Sequence, residues 1–294
     1  MTAQPTGLSV SLRKDEFERL RDLIRARFGL YFTDDTAYLL ERRLLPRIET
    51  LGMRSYADYY AYLMNPALPE IERDRELDDI FERLATRETY FFRESYQLDA
   101  LREHLLPRLY ESRQARPRSR SLSIWSAGCA SGEEVYSIAI AVLESGLFKD
   151  FQVSIVGSDL SRGALETARR GVYGASSFRG ADQRLIDRYF HAQHSRLEVD
   201  ASVRRLCTFT RCNLAGSDWA AVGGPFDVIF CRNVLIYFER SSRLPLIEGL
   251  ARKCSLGGYL FLGHSESLLD MATPFALDRL GGELVYRPRG AQAT

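Results

Sequence analysis

An α/β fold is expected for most of this chain: a doubly wound Rossmann-like sheet, preceded by a small N-terminal all-helical domain and carrying an inserted small β-subdomain. Three observations predict it. From about Leu8 to Arg87, apolar residues recur at three- and four-residue steps without strand-like alternation. Beyond residue 120, short apolar runs alternate with helical patterns. Between Tyr173 and Phe209 that rhythm breaks, and Arg196-Leu197-Glu198-Val199 alternates as a half-buried strand does.

In the helical region, Phe17, Leu20, Ile24 and Phe28 form one apolar stripe, and Leu77, Ile80, Phe81 and Leu84 another. Ser55 followed by Asp58 marks a helix start before Tyr59, Tyr60 and Leu63. Glu41-Arg42-Arg43-Leu44-Leu45-Pro46-Arg47 places three arginines on one helix, which Pro46 is expected to kink or end at a cost of about 3 kcal/mol. Glu111 to Arg120 is polar, breaks periodicity and reads as a loop. Strands are expected at Ser121–Ser126, Val153–Gly157, Phe226–Cys231 and Tyr259–Leu262, with helices at Val135–Glu144 and Leu165–Arg170. A further helical piece spans Asp182–Phe190, inside the interruption. The expected organisation is therefore a helical domain at 8–87, a linker helix and loop at 88–120, an α/β domain at 121–288 with its insertion at about 173–209, and a disordered tail at 289–294.

With 294 residues, 45% hydrophobic and 27% charged, the chain has the composition of a globular protein with room for two modest domains. Its net charge of +1 disfavours a nucleic-acid coat or a polybasic membrane binder, so any charged site must be local. The helical region is mildly acidic, with 15 basic and 18 acidic residues between positions 8 and 95. Cys129, Cys207, Cys212, Cys231 and Cys254 are scattered and form no CxxC pair, which argues against a disulfide scaffold and a structural zinc site; no metal is expected. No apolar run approaches the roughly 20 residues needed to span a bilayer. The opening MTAQPTGLSVSLRKDEF lacks the order of a signal peptide, so a cytoplasmic protein without membrane insertion is expected.

The chemistry gathers at the first strand and turn, Trp125 to Glu134. Gly128 and Gly132 allow close approach of a ligand to the backbone beyond the carboxyl end of a strand, although a plain tight turn would look the same. Asp159 ends the next strand, where a carboxylate can accept ribose hydroxyls or cap a helix. Glu133 and Glu134 compensate the helix dipole, and they would also repel a phosphate. A cationic ligand such as S-adenosylmethionine fits them better than NAD or ATP.

Several segments are more specific: Thr86-Arg87-Glu88-Thr89-Tyr90-Phe91-Phe92-Arg93-Glu94, Ser126 to Ala139, Gly157-Ser158-Asp159, Cys212-Asn213-Leu214, Phe226 to Phe238 and Gly263-His264-Ser265-Glu266. In this order, and over nearly the whole chain, they resemble the CheR family of chemotaxis receptor glutamate methyltransferases. The resemblance implies an S-adenosylmethionine-dependent methyltransferase sheet behind a helical domain. It also implies cofactor contacts at Thr89, Arg93, Glu134, Asp159, Asn213, Leu214, Arg232 and Asn233. The chain departs from many members at Arg87, where they carry Asn, and no contact is carried over to it. Arg93 and Tyr237 are the candidates to orient the acceptor carboxylate and the sulfonium region. Phe91 or Phe92 is expected in the core, and Cys129 and Cys231 as apolar packing. His264, Ser265 and Glu266 are too close in sequence to form a hydrolase relay, and no G-x-S-x-G elbow occurs.

The resemblance further implies docking of chemoreceptor cytoplasmic helices on the helical domain, where Arg42, Arg43 and Arg47 fit acidic helices. Some members also tether to a receptor pentapeptide through a glycine-containing loop. His191 to Phe209 contains no glycine, so a tether-independent enzyme is expected. Two rival readings are a catalytically silent adaptor that binds cofactor or receptor, and a methyltransferase with a non-receptor substrate. A nucleic-acid substrate is disfavoured by the net charge and by the absence of an [DN]PP[YF] tetrapeptide.

Overall fold

The computed structural model describes residues 10–86, 88–114 and 120–290. The chain divides into two compact units at the boundary between residues 86 and 87.

The described residues of the first unit form four α-helices, α1 (Lys14–Phe28), α2 (Ala37–Thr50), α3 (Tyr56–Met64) and α4 (Glu70–Leu84), with a short 3-10 turn at Asp34–Thr36. The apolar stripes fold inward, so that Phe17, Leu20, Ile24, Leu40, Leu44, Tyr56, Tyr59, Leu77 and Ile80 form its core. Gly29, at φ 73°, ends α1, and the Ser55 hydroxyl accepts from Asp58 N to start α3. Of the two outcomes expected at Pro46, the helix does not end there: α2 runs through it. The bond lost there is the one to the carbonyl of Arg42, and Arg42 and Pro46 are both exposed, so water can serve that carbonyl.

The second unit opens with a helical rod: α5 (Ser95–Ala100), a π turn over Leu101–Leu105 and α6 (Leu106–Gln114). The sequence reading placed a loop from Glu111 onward, but residues 111–114 are helix and Arg113 pairs with Asp227. The rest of that expected loop, 115–119, lies outside the described residues, as do Arg87 and residues 291–294 of the expected tail. There follow β1 (Ser121–Ala127), α7 (Glu133–Ser145), β2 (Gln152–Asp159), α8 (Arg162–Arg170), β3 (Val172–Tyr173), α9 (Gln183–Tyr189), β4 (Phe190–Gln193), β5 (Arg196–Val199), α10 (Ala201–Arg204), β6 (Cys207–Arg211), β7 (Phe226–Cys231), α11 (Arg240–Lys253), β8 (Cys254–Leu262), β9 (Phe275–Leu280) and β10 (Glu283–Pro288).

Seven strands form one sheet in the order β6-β2-β1-β7-β8-β10-β9. The first five are parallel, and β10 runs antiparallel to both of its neighbours. The doubly wound sheet is thus as expected, with the β9–β10 hairpin as an addition the sequence reading did not contain. The inserted piece is a separate antiparallel sheet, β3-β5-β4. Its expected limit at residue 209 overlaps β6, which belongs to the large sheet. Side chains alternate between two cores, Ile124, Val228 and Phe230 on one face and Trp125, Ile229 and Cys231 on the other. Beyond the strands, Arg289 is held by hydrogen bonds to Pro274 O and Thr273 O, so order continues into the segment expected to be disordered.

Because β1 is flanked by β2 on one side and β7 on the other, the winding direction reverses there. Sheets of this kind bind ligands in the crevice beyond the carboxyl ends of the strands at such a point, here β1 and β7.

Candidate cofactor-binding and active site

The turn after β1 is shaped by backbone that few side chains tolerate. Gly128 has φ 80°, and a Cβ on it would lie 2.5 Å from Val234 Cγ2. Gly132, at φ 93°, caps α7, and a Cβ there would sit 2.7 Å from that of Ala168. The N–H groups of Gly128 and Cys129 donate to Ser158 O at 2.8 and 2.9 Å, which fixes the turn to the end of β2. Asp159 accepts from Ala130 N at 2.9 Å and from Ser161 N at 2.8 Å. The N-cap of α8 is Ser161, whose hydroxyl accepts from Ala164 N, and Asp159 supports that start through Ser161 N. Cys212 N donates to Asp159 O, which brings Asn213 and Leu214 up beside the end of β2. Asn213 Oδ1 accepts from Ala215 N, and Leu214 packs on the second core.

Glu133 and Glu134 have separate surroundings. Glu133 is buried and accepts from the hydroxyls of Ser131 and Ser177, and burial pushes its carboxyl above the usual range. Glu134 faces the crevice, accepting from Ser126 Oγ at 2.7 Å, with its other oxygen 3.0 Å from Arg232 Nε. Burial raises its pKa against the pull of Arg232. Cys129 and Cys231 are buried thiols whose pKa values burial raises well above ordinary, in keeping with packing and not nucleophilic chemistry.

Arg232 is less a ligand group than an anchor. Its Nη2 donates to Arg93 O at 2.6 Å and its Nη1 to Gln97 Oε1 at 3.2 Å, while Gln97 Nε2 donates to Leu262 O. With both terminal nitrogens turned to protein, it presents only Nε to the carboxylates. Asn233 sits at φ 58°, a left-handed conformation that Asn tolerates better than most residues. Glu266 holds it there, accepting from Asn233 N at 2.8 Å, Leu235 N at 2.7 Å and Gly263 N at 2.8 Å. Tyr237, half-buried, closes the short helical turn Leu235–Tyr237 and packs against the second core.

The segment before α5 is strained as well, with Phe92 at φ 60° and Glu94 at φ 54°. Phe91 is fully buried among Tyr173, Phe178 and Phe190, and Phe92 N donates to Ser137 Oγ. Arg93 is half-buried and donates from Nη1 to Glu88 O, and Thr89 is half-buried three residues from the start of the strained stretch. The structure therefore links Glu134, Arg232 and the Arg93 backbone in one cluster, and Asp159 with the start of the Asn213 turn in another. Among the described residues it records no direct bond from Thr89 to either cluster. Sequence reasoning missed Ser126, Glu94, Gln97 and Glu266 as site residues.

In the helical unit the three arginines differ. Arg42 is exposed. Arg43 donates to Leu84 O, and Arg47 donates to both oxygens of the buried Glu76, at 2.9 and 2.6 Å. Arg43 and Arg47 thus fasten α2 to α4, and a shared docking face of all three must be narrowed to Arg42.

Comparison with known proteins agrees in both units. Residues 87–279 match the family model described as CheR methyltransferase, SAM binding domain, and residues 15–84 match the CheR methyltransferase, all-alpha domain. The chain is 35% identical to chemotaxis protein methyltransferase 2 of Vibrio cholerae, over 90% of this chain and 89% of that one. It is 32% identical to chemotaxis protein methyltransferase 2 of Pseudomonas aeruginosa, over 94% and 93%. With the chemotaxis protein methyltransferase of Borreliella burgdorferi it shares 30% identity, over 89% and 91%. A doubly wound sheet with an anionic corner at its switch point, a helical unit before it and full-length relatives of one kind lead to one conclusion: this chain belongs to the CheR family of S-adenosylmethionine-dependent methyltransferases.

Proposed function

We propose that this enzyme methylates side-chain carboxylates of glutamates on the cytoplasmic helices of chemoreceptors, yielding γ-methyl esters and S-adenosylhomocysteine. The observation that carries the reading is the Ser126–Glu134–Arg232 corner, net anionic once Glu94 is counted, in a chain whose relatives are chemotaxis protein methyltransferases. Such a corner suits a cationic ligand and repels a phosphate. The cofactor supplies an electrophilic methyl group on a sulfur cation.

The chain's own residues bind and orient. Asp159, Asn213 and Leu214 would hold the nucleoside and Glu134 the amino-acid end, with Thr89, Arg93 and Asn233 holding the remainder. A glutamate side chain with a pKa near 4.3 is ionised at pH 7, so no strong general base is needed. What remains is positioning and removal of water from the acceptor carboxylate, worth several kcal/mol. Arg93 and Tyr237 orient that carboxylate. Arg93 stays partly engaged with Glu88 O, which keeps it from over-stabilising the ground state. Arg42 offers the positive charge for an acidic receptor helix. The turn of the β4–β5 hairpin, Gln193 to Arg196, contains no glycine, which supports a tether-independent enzyme.

The test is incubation with methyl-labelled S-adenosylmethionine and receptor cytoplasmic fragments. Label released by mild alkali is expected. Alkali-stable label, or bound cofactor with no label transferred, overturns the ester-forming reading. Arg42→Glu should weaken methylation of receptor fragments while S-adenosylhomocysteine affinity holds, and equal methylation by the variant removes Arg42 from docking.

A further inference from the structure

The charged cluster in the crevice does not balance. Arg232, with its side chain 3% exposed, faces two carboxylates: Glu134 Oε2 at 3.0 Å from its Nε and Glu94 Oε2 at 3.9 Å. Its other two nitrogens are committed to Arg93 O and Gln97 Oε1. Within ion-pair distance, one guanidinium thus serves two carboxylates in a desolvated corner, with the charge of Arg93 acting on Glu134 from farther off. Glu94 is the less satisfied of the two. Its side chain is 9% exposed; Oε1 meets His264 Nδ1 at 3.0 Å, whereas Oε2 is buried without a hydrogen-bond partner. Arg232 Nε is also buried and unaligned with either acid. Tyr96 faces the same group, and the charge of Glu94 contributes to its raised pKa, behind burial. Buried carboxylate oxygens rarely go unpaired, and a strained left-handed backbone is spent here to deliver one.

Position tells which cation would match it. In the family reading, on which this inference rests, the nucleoside lies on the β2–β6 side, where Asp159 and Asn213 are. The opposite end of the cofactor then points to the β7 side, where Glu134, Arg232 and Glu94 meet. That end carries a primary ammonium with three donors. We infer that Glu94, together with Glu134, binds the α-ammonium of the cofactor, with Arg232 as the cation that holds the two carboxylates apart and in place. His264, at the mouth with its side chain 64% exposed, is the positioning residue that orients Glu94 through Oε1.

S-Adenosylhomocysteine tests this cleanly, because its sulfur is an uncharged thioether and its ammonium is its only cation. Titration calorimetry of the full chain compares it with the desamino analogue, which keeps the nucleoside, thioether and carboxylate. The wild type should prefer the amine by about 10- to 100-fold, the range of one or two charge-assisted hydrogen bonds. Glu94→Gln should lose roughly tenfold of that preference while binding the desamino analogue within about twofold of the wild type. An unchanged preference, or equal loss for both ligands, overturns the role of Glu94 and leaves the cofactor reading intact. A wild type that fails to bind S-adenosylhomocysteine overturns both. If Glu94→Gln does not fold, Glu94→Asp, which keeps the charge but withdraws it by one methylene, must show part of the same loss; a preference equal to that of the wild type then refutes the assignment.

Discussion

Glu266 shows how much a single carboxylate can organise. Three backbone N–H groups from two loops converge on it, and through Asn233 and Leu235 it sets the path of the chain that carries Arg232 and Tyr237. Gly263 allows this closeness, since a Cβ there would lie 2.8 Å from Asn233 Nδ2 and 2.9 Å from Glu266 Oε2. Glu266→Gln keeps the shape but turns an NH₂ group toward at least one of the N–H donors, at about 1–3 kcal/mol for each donor left unpaired. Methyl transfer should fall at least tenfold with a smaller change in KM, because Tyr237 loses its setting; steady-state kinetics with receptor fragments measures this, and unchanged kcat would restrict Glu266 to the fold. The segments holding these residues were all visible in the sequence. Their roles were not, because Gln97 meets a carbonyl 165 residues away and Glu266 meets N–H groups up to 33 residues away, contacts that no local spacing encodes. The glycine turn, Asp159 and Glu134 were legible because their chemistry is local to strand ends and a helix start.

At the level of elements, prolines separate what periodicity predicts from what packing permits. Pro46 lies inside α2, Pro245 inside α11, and Pro107 follows the π turn, where Leu106 N donates to Leu101 O in place of the usual α-helical pairing. A widened turn just before Pro107 relieves the clash between its ring and the carbonyl four residues back. Pro46 has no such device, only an exposed face. Pro46→Ala restores one helix bond but loosens the unfolded chain, so a net gain of about 1–2 kcal/mol is expected, measured by thermal unfolding followed by circular dichroism. A drop in stability would show that α2 depends on the proline ring. Where the sequence reading ended α6 early, the Arg113–Asp227 pair overrides local polarity. The β9–β10 hairpin did have a signal: Gly281 and Gly282, both at positive φ, make the two-residue turn that joins Leu280 to Glu283. β6 was hidden because it is an edge strand with no residue fully buried, recognised only by its pairing with β2.

For the molecule as a whole, the near-neutral balance of charge hides opposite responses to acid in the two units. In the helical unit Glu76 is 4% exposed and accepts from Arg47 and, at 2.6 Å, from the Tyr59 hydroxyl. Burial alone would raise its pKa, but the hydrogen bonds from Arg47 and Tyr59 outweigh it and hold the value below the usual 4.5. A carboxyl depressed on folding stabilises the native state above its unfolded pKa, and that contribution is lost as pH falls through the lower folded value. In the α/β unit, burial raises Glu133, Glu134 and Asp227, so folding there is disfavoured at neutral pH by these groups and the penalty lifts on acidification, against the opposite pull of the largely solvated Asp200, which hydrogen bonds from Ser202 and His191 hold down to about 2. Below about pH 4.5 the helical unit should therefore weaken first. Both tryptophans, Trp125 and Trp219, lie in the α/β unit and are buried there, so their emission reports that unit alone, whereas helical circular dichroism reports both. On acid titration the helical signal should decline before the tryptophan emission shifts. Glu76→Gln, which breaks the buried pair at about 3 kcal/mol, should lower the melting temperature of the helical unit at pH 7 by on the order of 10 °C and flatten its loss in acid. Coincident transitions in the wild type, or parallel pH curves for wild type and variant, would show that Glu76 does not set the acid limit of that unit.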